Sequence, residues 1–216
     1  MPNQILIEKS PEEKVILRWL GHSAFKIKAG NVAVYIDPYD IEGTHEPADL
    51  ILITHAHYDH CDRKSVDALK KPSTLIYGPD AVSHNISGVK VIREGMRFVV
   101  LGINVHAVAA YNPEKPYHPR GTGVGYVVTA GGAKIYHAGD TDMVPEMKSL
   151  AKEGIDVALL PIGGTMTMSE TEASEVVALI KPKKAIPMHY GKVVKADTMK
   201  FKKMVDNDAE VVILEK

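Results

Sequence analysis

The sequence predicts an α/β protein, α+β in the order of its segments, in which two β-sheets carry helices on their outer faces. Three features predict it. Short apolar runs divided by turn residues fill the first half, helix and strand alternate in the second half, and polar residues gather where strands end. A chain of 216 residues, 45% apolar and 25% charged, is long enough to bury a sizeable core, and no linker or low-complexity stretch divides it. A single domain over residues 1–216 is therefore expected.

Val15 to Leu20, Ala24 to Ile27 and Val32 to Ile36 read as strands, separated by Gly21-His22-Ser23 and Gly30-Asn31, which are turn chemistry. Asp37-Pro38 ends the third, because proline cannot donate to a ladder. Leu50 to Ile53 is short, aliphatic and partly β-branched, the signature of a buried strand. Asp62 to Lys70 sets Val66 and Leu69 three apart among charges, a short amphipathic helix that Asp59 or Asp62 can cap. Thr74 to Tyr77, Val89 to Ile92, Arg97 to Leu101 and Ile103 to Ala109 alternate as strands. From Tyr111 to Thr122 periodicity fails in a loop rich in proline and glycine, and a structureless loop of that length points to function. Gly123 to Thr129 and Lys134 to His137 are strands joined by a hairpin at Ala130-Gly131-Gly132. Met143 to Glu153 is expected to be helical and Val157 to Pro161 a strand. Ser169 to Ile180 is the clearest helix, with Ser169 and Glu172 as a capping box and Ala173, Val176, Val177 and Ile180 as its apolar stripe. Lys184 to Met188, Thr198 to Val205 and Val211 to Leu214 close the chain as strand, helix and strand.

Net charge is −1, which directs the chain neither to nucleic acid nor to an anionic membrane surface. The single cysteine, Cys61, excludes an intrachain disulfide framework and fits a reducing compartment; directly after a histidine, it is read as a packed small residue. Glu8, Lys9, Glu12, Glu13, Lys14 and Arg18 interrupt the first twenty residues, so no export segment is expected, and no run reaches the roughly 18 apolar residues of a membrane span. A cytoplasmic protein is expected. Lysines 181, 183, 184, 192, 195, 200, 202 and 203 surround the strand that precedes His189, while Lys115 and Arg120 flank His118. A solvated face is the ordinary reading of such a run; at the rim of a site it would favour an anionic substrate.

The centre of the sequence is Leu50-Ile51-Leu52-Ile53-Thr54-His55-Ala56-His57-Tyr58-Asp59-His60. Three histidines and an aspartate within six residues, at the mouth of a buried strand, are the ligand types of zinc and also of manganese, iron or nickel. Asp140 follows a strand end behind Gly139, His189 ends another strand, and His118 sits in the long loop. Each alone would be an ordinary turn or loop residue. Strand ends of one sheet converge on one edge, so together they supply ligands that the burst lacks.

His55-Ala56-His57-Tyr58-Asp59-His60 matches the H-x-H-x-D-H signature of the metallo-β-lactamase superfamily. Asp140 in Gly-Asp-Thr, His189 in Met-His-Tyr and the strand-end Asp37 match its other conserved-type positions. The chain resembles, from Leu20-Gly21-His22-Ser23 to His189, the small metal-dependent hydrolases related to L-ascorbate-6-phosphate lactonase. That resemblance implies a four-layer αββα sandwich, the metallo-β-lactamase fold, with two divalent metal ions at one edge, zinc being the best fit. His55 and His57 would hold the first ion with a third histidine; Asp59, His60 and His189 the second; Asp140 would bridge. His118 is the preferred third histidine and His106, inside an alternating strand, its rival. Asp37 is expected to orient a ligand histidine rather than touch metal.

Two such ions about 3.5–4 Å apart lower the pKa of a shared water toward about 7 and polarise the oxygen under attack. The expected function is a hydrolase that uses a metal-bridging hydroxide to cleave a small, anionic ester, lactone or phosphodiester. Asp59 would accept the proton, and His22 would line the pocket or protonate the leaving group, against the plainer reading of a backbone-satisfied turn histidine; Tyr190 carries the same two readings. Met166 and Met168 are candidates for lining the approach. The partner is then a small molecule, with a homo-oligomer compatible and no membrane. A nuclease of the same fold is the nearest competitor, but no aromatic-basic strip for nucleic acid is visible. A metal-binding module without turnover is the competitor from another class.

Overall fold

The computed structural model describes residues 2–10, 13–191 and 193–216, so Glu12 and Lys192 lie outside the described residues. It contains β1 (Gln4–Glu8), β2 (Lys14–Gly21), β3 (Ala24–Ala29), β4 (Val32–Ile36), β5 (Ala48–Leu52), α1 (Arg63–Leu69), β6 (Lys70–Gly78), α2 (Asp80–Ser83) and β7 (Val89–Val91). The second half runs β8 (Arg97–Val100), β9 (Ile103–Ala109), β10 (Val124–Ala130), β11 (Ala133–His137), a 3-10 helix (Pro145–Lys152), β12 (Val157–Pro161), α3 (Glu170–Ile180), β13 (Lys184–Met188), α4 (Thr198–Val205) and β14 (Glu210–Val211).

Among the described residues these strands form two seven-stranded sheets, β1 to β7 in order and β14 back to β8 in order. Each half of the chain repeats one plan. Four strands pair antiparallel as a meander (β1 to β4, β8 to β11), and three more then add in parallel (β5 to β7, β12 to β14). The inner faces of both sheets share one apolar core, which includes Leu17, Phe25, Ile27, Leu50, Tyr126, Val128 and Ile135. The outer face of the first sheet packs Tyr35, Ile51 and Ile53 under Val66 and Leu69 of α1. The outer face of the second is covered by the 3-10 helix, α3 and α4 through Met147, Val176, Val177 and Phe201. The layers are therefore helix, sheet, sheet and helix, the αββα sandwich.

Several local expectations need correction. β1 and α2 have no counterpart in the sequence reading. The Met143 to Glu153 segment is a 3-10 helix from Pro145, and the closing strand is Glu210–Val211 rather than Val211 to Leu214. Helix–strand alternation is not confined to the second half, because β5, α1, β6, α2 and β7 alternate too. Other signals hold in detail. Asp62, not Asp59, caps α1 by accepting from Lys64 N at 3.0 Å. Ser169 and Glu172 form the capping box of α3. Gly131 and Gly132, at φ 46° and 68°, make the two-residue turn between β10 and β11 that only left-handed backbone closes tightly.

At one edge the two sheets are stitched by hydrogen bonds. Tyr126 Oη on β10 donates to the carbonyl of Ile53 at 2.8 Å, Val124 N donates to the carbonyl of Thr54 at 2.9 Å, and His137 Nε2 donates to the carbonyl of Ser23 at 2.9 Å. His189 N reaches the carbonyl of His22 at 3.1 Å. These bonds fix where the chain leaves β5. Because the Tyr126 hydroxyl is buried and its removal strands the Ile53 carbonyl, Tyr126→Phe is expected to lower stability by about 1–3 kcal/mol. The check is a denaturant midpoint that falls with unchanged slope; a midpoint equal to wild type would count against the stitch.

Candidate metal centre

Every strand whose end was singled out in the sequence points to the stitched edge. The loop after β5 delivers His55, His57, Asp59 and His60; the loop after β9 delivers His118; Asp140 follows β11; His189 follows β13; His22 follows β2; Asp37 follows β4. Three groups have ligand atoms all within 4.8 Å of one another: His55, His57 and His118; His55, His60 and Asp140; and His22, Asp59, His60 and His189. Asp140 connects them. Its Oδ2 lies 3.3 Å from His118 Nε2 and 2.9 Å from His189 Nε2, and its Oδ1 lies 3.3 Å from His60 Nε2. His106 is absent from these groups: it projects from β9 toward Glu153, at 3.7 Å.

Hydrogen bonds decide which nitrogen of each imidazole is free. A carboxylate only accepts, so His60 Nδ1, 2.7 Å from Asp37 Oδ2, carries the proton and leaves Nε2 as a lone pair. The Thr54 hydroxyl donates to the same oxygen at 2.6 Å and must then accept from His55 Nδ1 at 3.0 Å, which frees His55 Nε2. Asn112 Oδ1 takes the backbone N–H of His118 at 3.1 Å and its Nδ1–H at 2.7 Å, which frees His118 Nε2. Asp37 and Asn112 thus aim three lone pairs at the Asp140 carboxylate. His118 Nε2 also lies 3.1 Å from His57 Nδ1, a nitrogen pair that repels unless a cation or a proton lies between.

The backbone is bent to achieve this. His22, Asp37 and His189 hold left-handed conformations at φ 51°, 47° and 59°, a strain of about 1–3 kcal/mol each that clusters at functional sites. Gly139, at φ 67°, passes so close that a Cβ there would sit 3.0 Å from the carbonyl of Val124 and 3.2 Å from Thr54. Lys115 secures the loop bearing His118 through Asp142 at 2.6 Å and the carbonyl of Thr167 at 3.0 Å.

Buried charge here is all negative or ambivalent. Asp37, Asp59 and Asp140 are buried, and their ion-pair partners among the described residues are histidines. Burial works against the charge of Asp59, yet the His22 bond at 3.1 Å and the imidazoles around it hold its carboxyl down at about 2. Asp140, also buried, is held well below the usual range by His60, His189 and His118. Burial lowers His55, His57 and His22. On His60 burial is outweighed by Asp140 and Asp37, which push it well above its usual range. The site therefore demands positive charge where His60 meets Asp140. His55 Nε2, His60 Nε2 and Asp140 Oδ1 are buried without a hydrogen-bond partner, so the donor set fits divalent ions of the zinc type.

Elsewhere the structure separates what the sequence grouped. Cys61 is buried in the core under α1, where burial pushes its thiol up to about 11. Met168 is wholly buried, while the carbonyl of Met166 lies 3.2 Å from His118 Nδ1. Lys183 pairs with Asp156, Lys184 with Glu210 and Lys200 with Glu170, and the first two sit at the start of β13, the end away from His189. Lys115 is spent on Asp142 and Arg120 on Glu94 and Glu146. These cations are therefore paired with carboxylates of the chain. Thr54 and Asn112, which orient ligands, escaped the sequence reading. Thr54 directly precedes His55, and Asn112 stands six residues before His118 at the head of the same loop.

A two-sheet sandwich with this histidine-aspartate edge defines the metallo-β-lactamase class. The chain belongs to that superfamily: the family profile described as "Beta-lactamase superfamily domain" matches residues 16–189. It is 38% identical, over 93% of its length and 96% of the relative, to a UPF0173 metal-dependent hydrolase of Thermococcus onnurineus. It is 37% identical to another of that name from Methanopyrus kandleri, over 92% and 96%. Among solved structures it superimposes on a candidate metal-dependent hydrolase of Parabacteroides distasonis with a TM-score of 0.92 at 29% identity, covering 100% and 99% of the two chains. It also matches the metallo hydrolase Igni18 of Ignicoccus hospitalis at 0.80 and 26%, covering 93% and 95%.

Loss of a residue that orients a ligand typically weakens metal binding by about 10- to 100-fold. Asn112→Ala is expected to do so in competition with a chromophoric chelator, whereas His106→Ala leaves affinity unchanged. Equal affinities in the two variants would remove Asn112 from its role.

Proposed function

We propose that the chain is a dinuclear metal-dependent hydrolase of small esters, lactones or phosphodiesters, acting in the cytoplasm. His55, His57 and His118 would hold one divalent ion and Asp59, His60 and His189 the other, with Asp140 shared between the two sets. Zinc suits the set best, with manganese, nickel or iron as alternatives. The observation that carries this reading is the single oxygen Asp140 Oδ2, which lies within 3.3 Å of His118 Nε2 and 2.9 Å of His189 Nε2 and so reaches ligands of both sets.

When bound, the two ions supply an activated water near neutral pH and polarise the oxygen under attack. The chain's own residues manage the proton. The Asp59 carboxylate, ionised at neutral pH, would accept the proton of the attacking water, and the Asp59–His22 pair, 3.1 Å apart, would return that same proton to the departing oxygen. His22 also belongs to the second ligand group, so its alternative use is as a ligand. An anionic substrate gains no support from the paired lysines; any charge it carries belongs at the reacting group, which faces the ions.

Elemental analysis of the purified protein is expected to find about two equivalents of metal, as a two-ion site requires. The double variant His57→Ala with Asp140→Ala is expected to lose most of that metal and, on a panel of esters, lactones and phosphodiesters with zinc or manganese, at least about 100-fold in rate. Unchanged metal in the double variant would remove the ligand assignment, and fully loaded protein with no turnover across the panel would favour a binding module.

A further inference from the structure

Beside the metal centre lies a cavity of about 200 Å³ lined by Trp19, His22, Tyr39, Tyr190, Val193 and Lys216. His22 is the wall shared with the centre. Its ring stands 4.2 Å from that of His189 and 5.9 Å from that of Tyr39. The aromatic lining continues outward, since Tyr39 meets Tyr58 edge-on at 6.0 Å, and Tyr58, between the ligands His57 and Asp59, is 69% exposed.

Three polar ends of this lining are already engaged. Trp19 Nε1 donates to the carbonyl of His22 at 2.9 Å, and Tyr190 Oη donates to the carbonyl of Leu214 at 3.4 Å. The two rings lean on each other at 5.2 Å. The Lys216 ammonium is 3.2 Å from the carbonyl of Asp40 and 3.6 Å from its carboxylate. These walls therefore present mainly ring face and methylene, with His22 Nδ1 a buried polar atom that has no hydrogen-bond partner. An engineered apolar cavity of about 150 Å³ accepts benzene, so this one holds a single ring or a branched chain of similar bulk.

We infer that this cavity is the substrate's second foothold: it takes a neutral apolar group, an aromatic ring or branched alkyl chain, attached to the ester, lactone or phosphodiester whose reacting atoms face the metals. The assignment of the reacting end rests on the hydrolase reading; that of the cavity rests on its lining. Asp40 also lines the cavity, and its pairing with Lys216 leaves neither a free cation for a sugar phosphate nor a free anion to add to the three aromatic rings for a quaternary ammonium.

Trp19 is the chain's single tryptophan, so its fluorescence reports occupancy directly. Benzyl alcohol titrated into the full, metal-loaded protein is expected to give a saturable change, and Val193→Phe, which fills the cavity, to raise the midpoint at least tenfold. Should that variant fail to fold, Tyr190→Ala removes one wall and is expected to raise the midpoint in the same way. Phenylacetyl esters are expected to exceed acetyl esters at least tenfold in kcat/KM, with the ratio shrinking in the filled variant. A change that never saturates, a midpoint indifferent to both variants, or preference for choline or glucose 6-phosphate over benzyl alcohol overturns the inference. Saturable benzyl alcohol binding without hydrolysis of any ester supports the cavity and refutes the hydrolase reading. Hydrolysis without such binding does the reverse.

Discussion

Three carboxylates buried at one edge of a sandwich, whose ion-pair partners among the described residues are imidazoles, set the terms for everything around them. A buried anion without a counter-charge is costly, and neutral histidines do not supply one. Protonating His60 answers part of that demand, since Asp140 and Asp37 outweigh the burial that opposes it. Divalent cations answer the whole of it and use the lone pairs that protons would block. The polar network is built in that sense: Thr54, Asp37 and Asn112 hold the protons on the outward nitrogens of His55, His60 and His118 and leave the inward ones open.

The rest of the fold serves to hold these side chains against their own repulsion. Hydrogen bonds across the sandwich from Tyr126, Val124 and His137 pin the segments that leave β2 and β5, while left-handed backbone at His22, Asp37 and His189 turns three strand exits toward one point. Helices on the outside cost the site nothing and supply the apolar burial from which such strain is offset, Val66 and Leu69 on one face and Val176, Val177 and Phe201 on the other.

Much of this was legible in the chain. Strand ends show in sequence because aliphatic runs stop abruptly at polar residues, as at Ile36-Asp37 and Ile53-Thr54-His55, and seven ligand-type residues fall on such ends or in the one aperiodic loop. Caps and turns were equally plain, since Ser169 with Glu172 and Gly131-Gly132 act through bonds between near neighbours. What stayed hidden depends on distant partners. Gln4–Glu8 holds Ile5, Leu6 and Ile7 in a row, yet its place in the sheet shows only when β2 supplies its ladder. Asn112 is one asparagine among loop residues until His118 returns to meet it, and whether the lysines near β13 form a solvated face or a basic rim is not visible until Asp156, Glu210 and Glu170 are seen opposite three of them.

The two halves of the chain follow one plan of meander and parallel addition, and the ligand set is divided between them. His55, His57, Asp59 and His60 come from the first half, His118, Asp140 and His189 from the second, so neither half owns a complete coordination shell. An ion seated there would act as a rivet between two similar leaves. With such an ion in place, prising the leaves apart would have to break coordination bonds as well as slide one apolar face off another, so the histidine-aspartate edge would also be the clasp of the molecule.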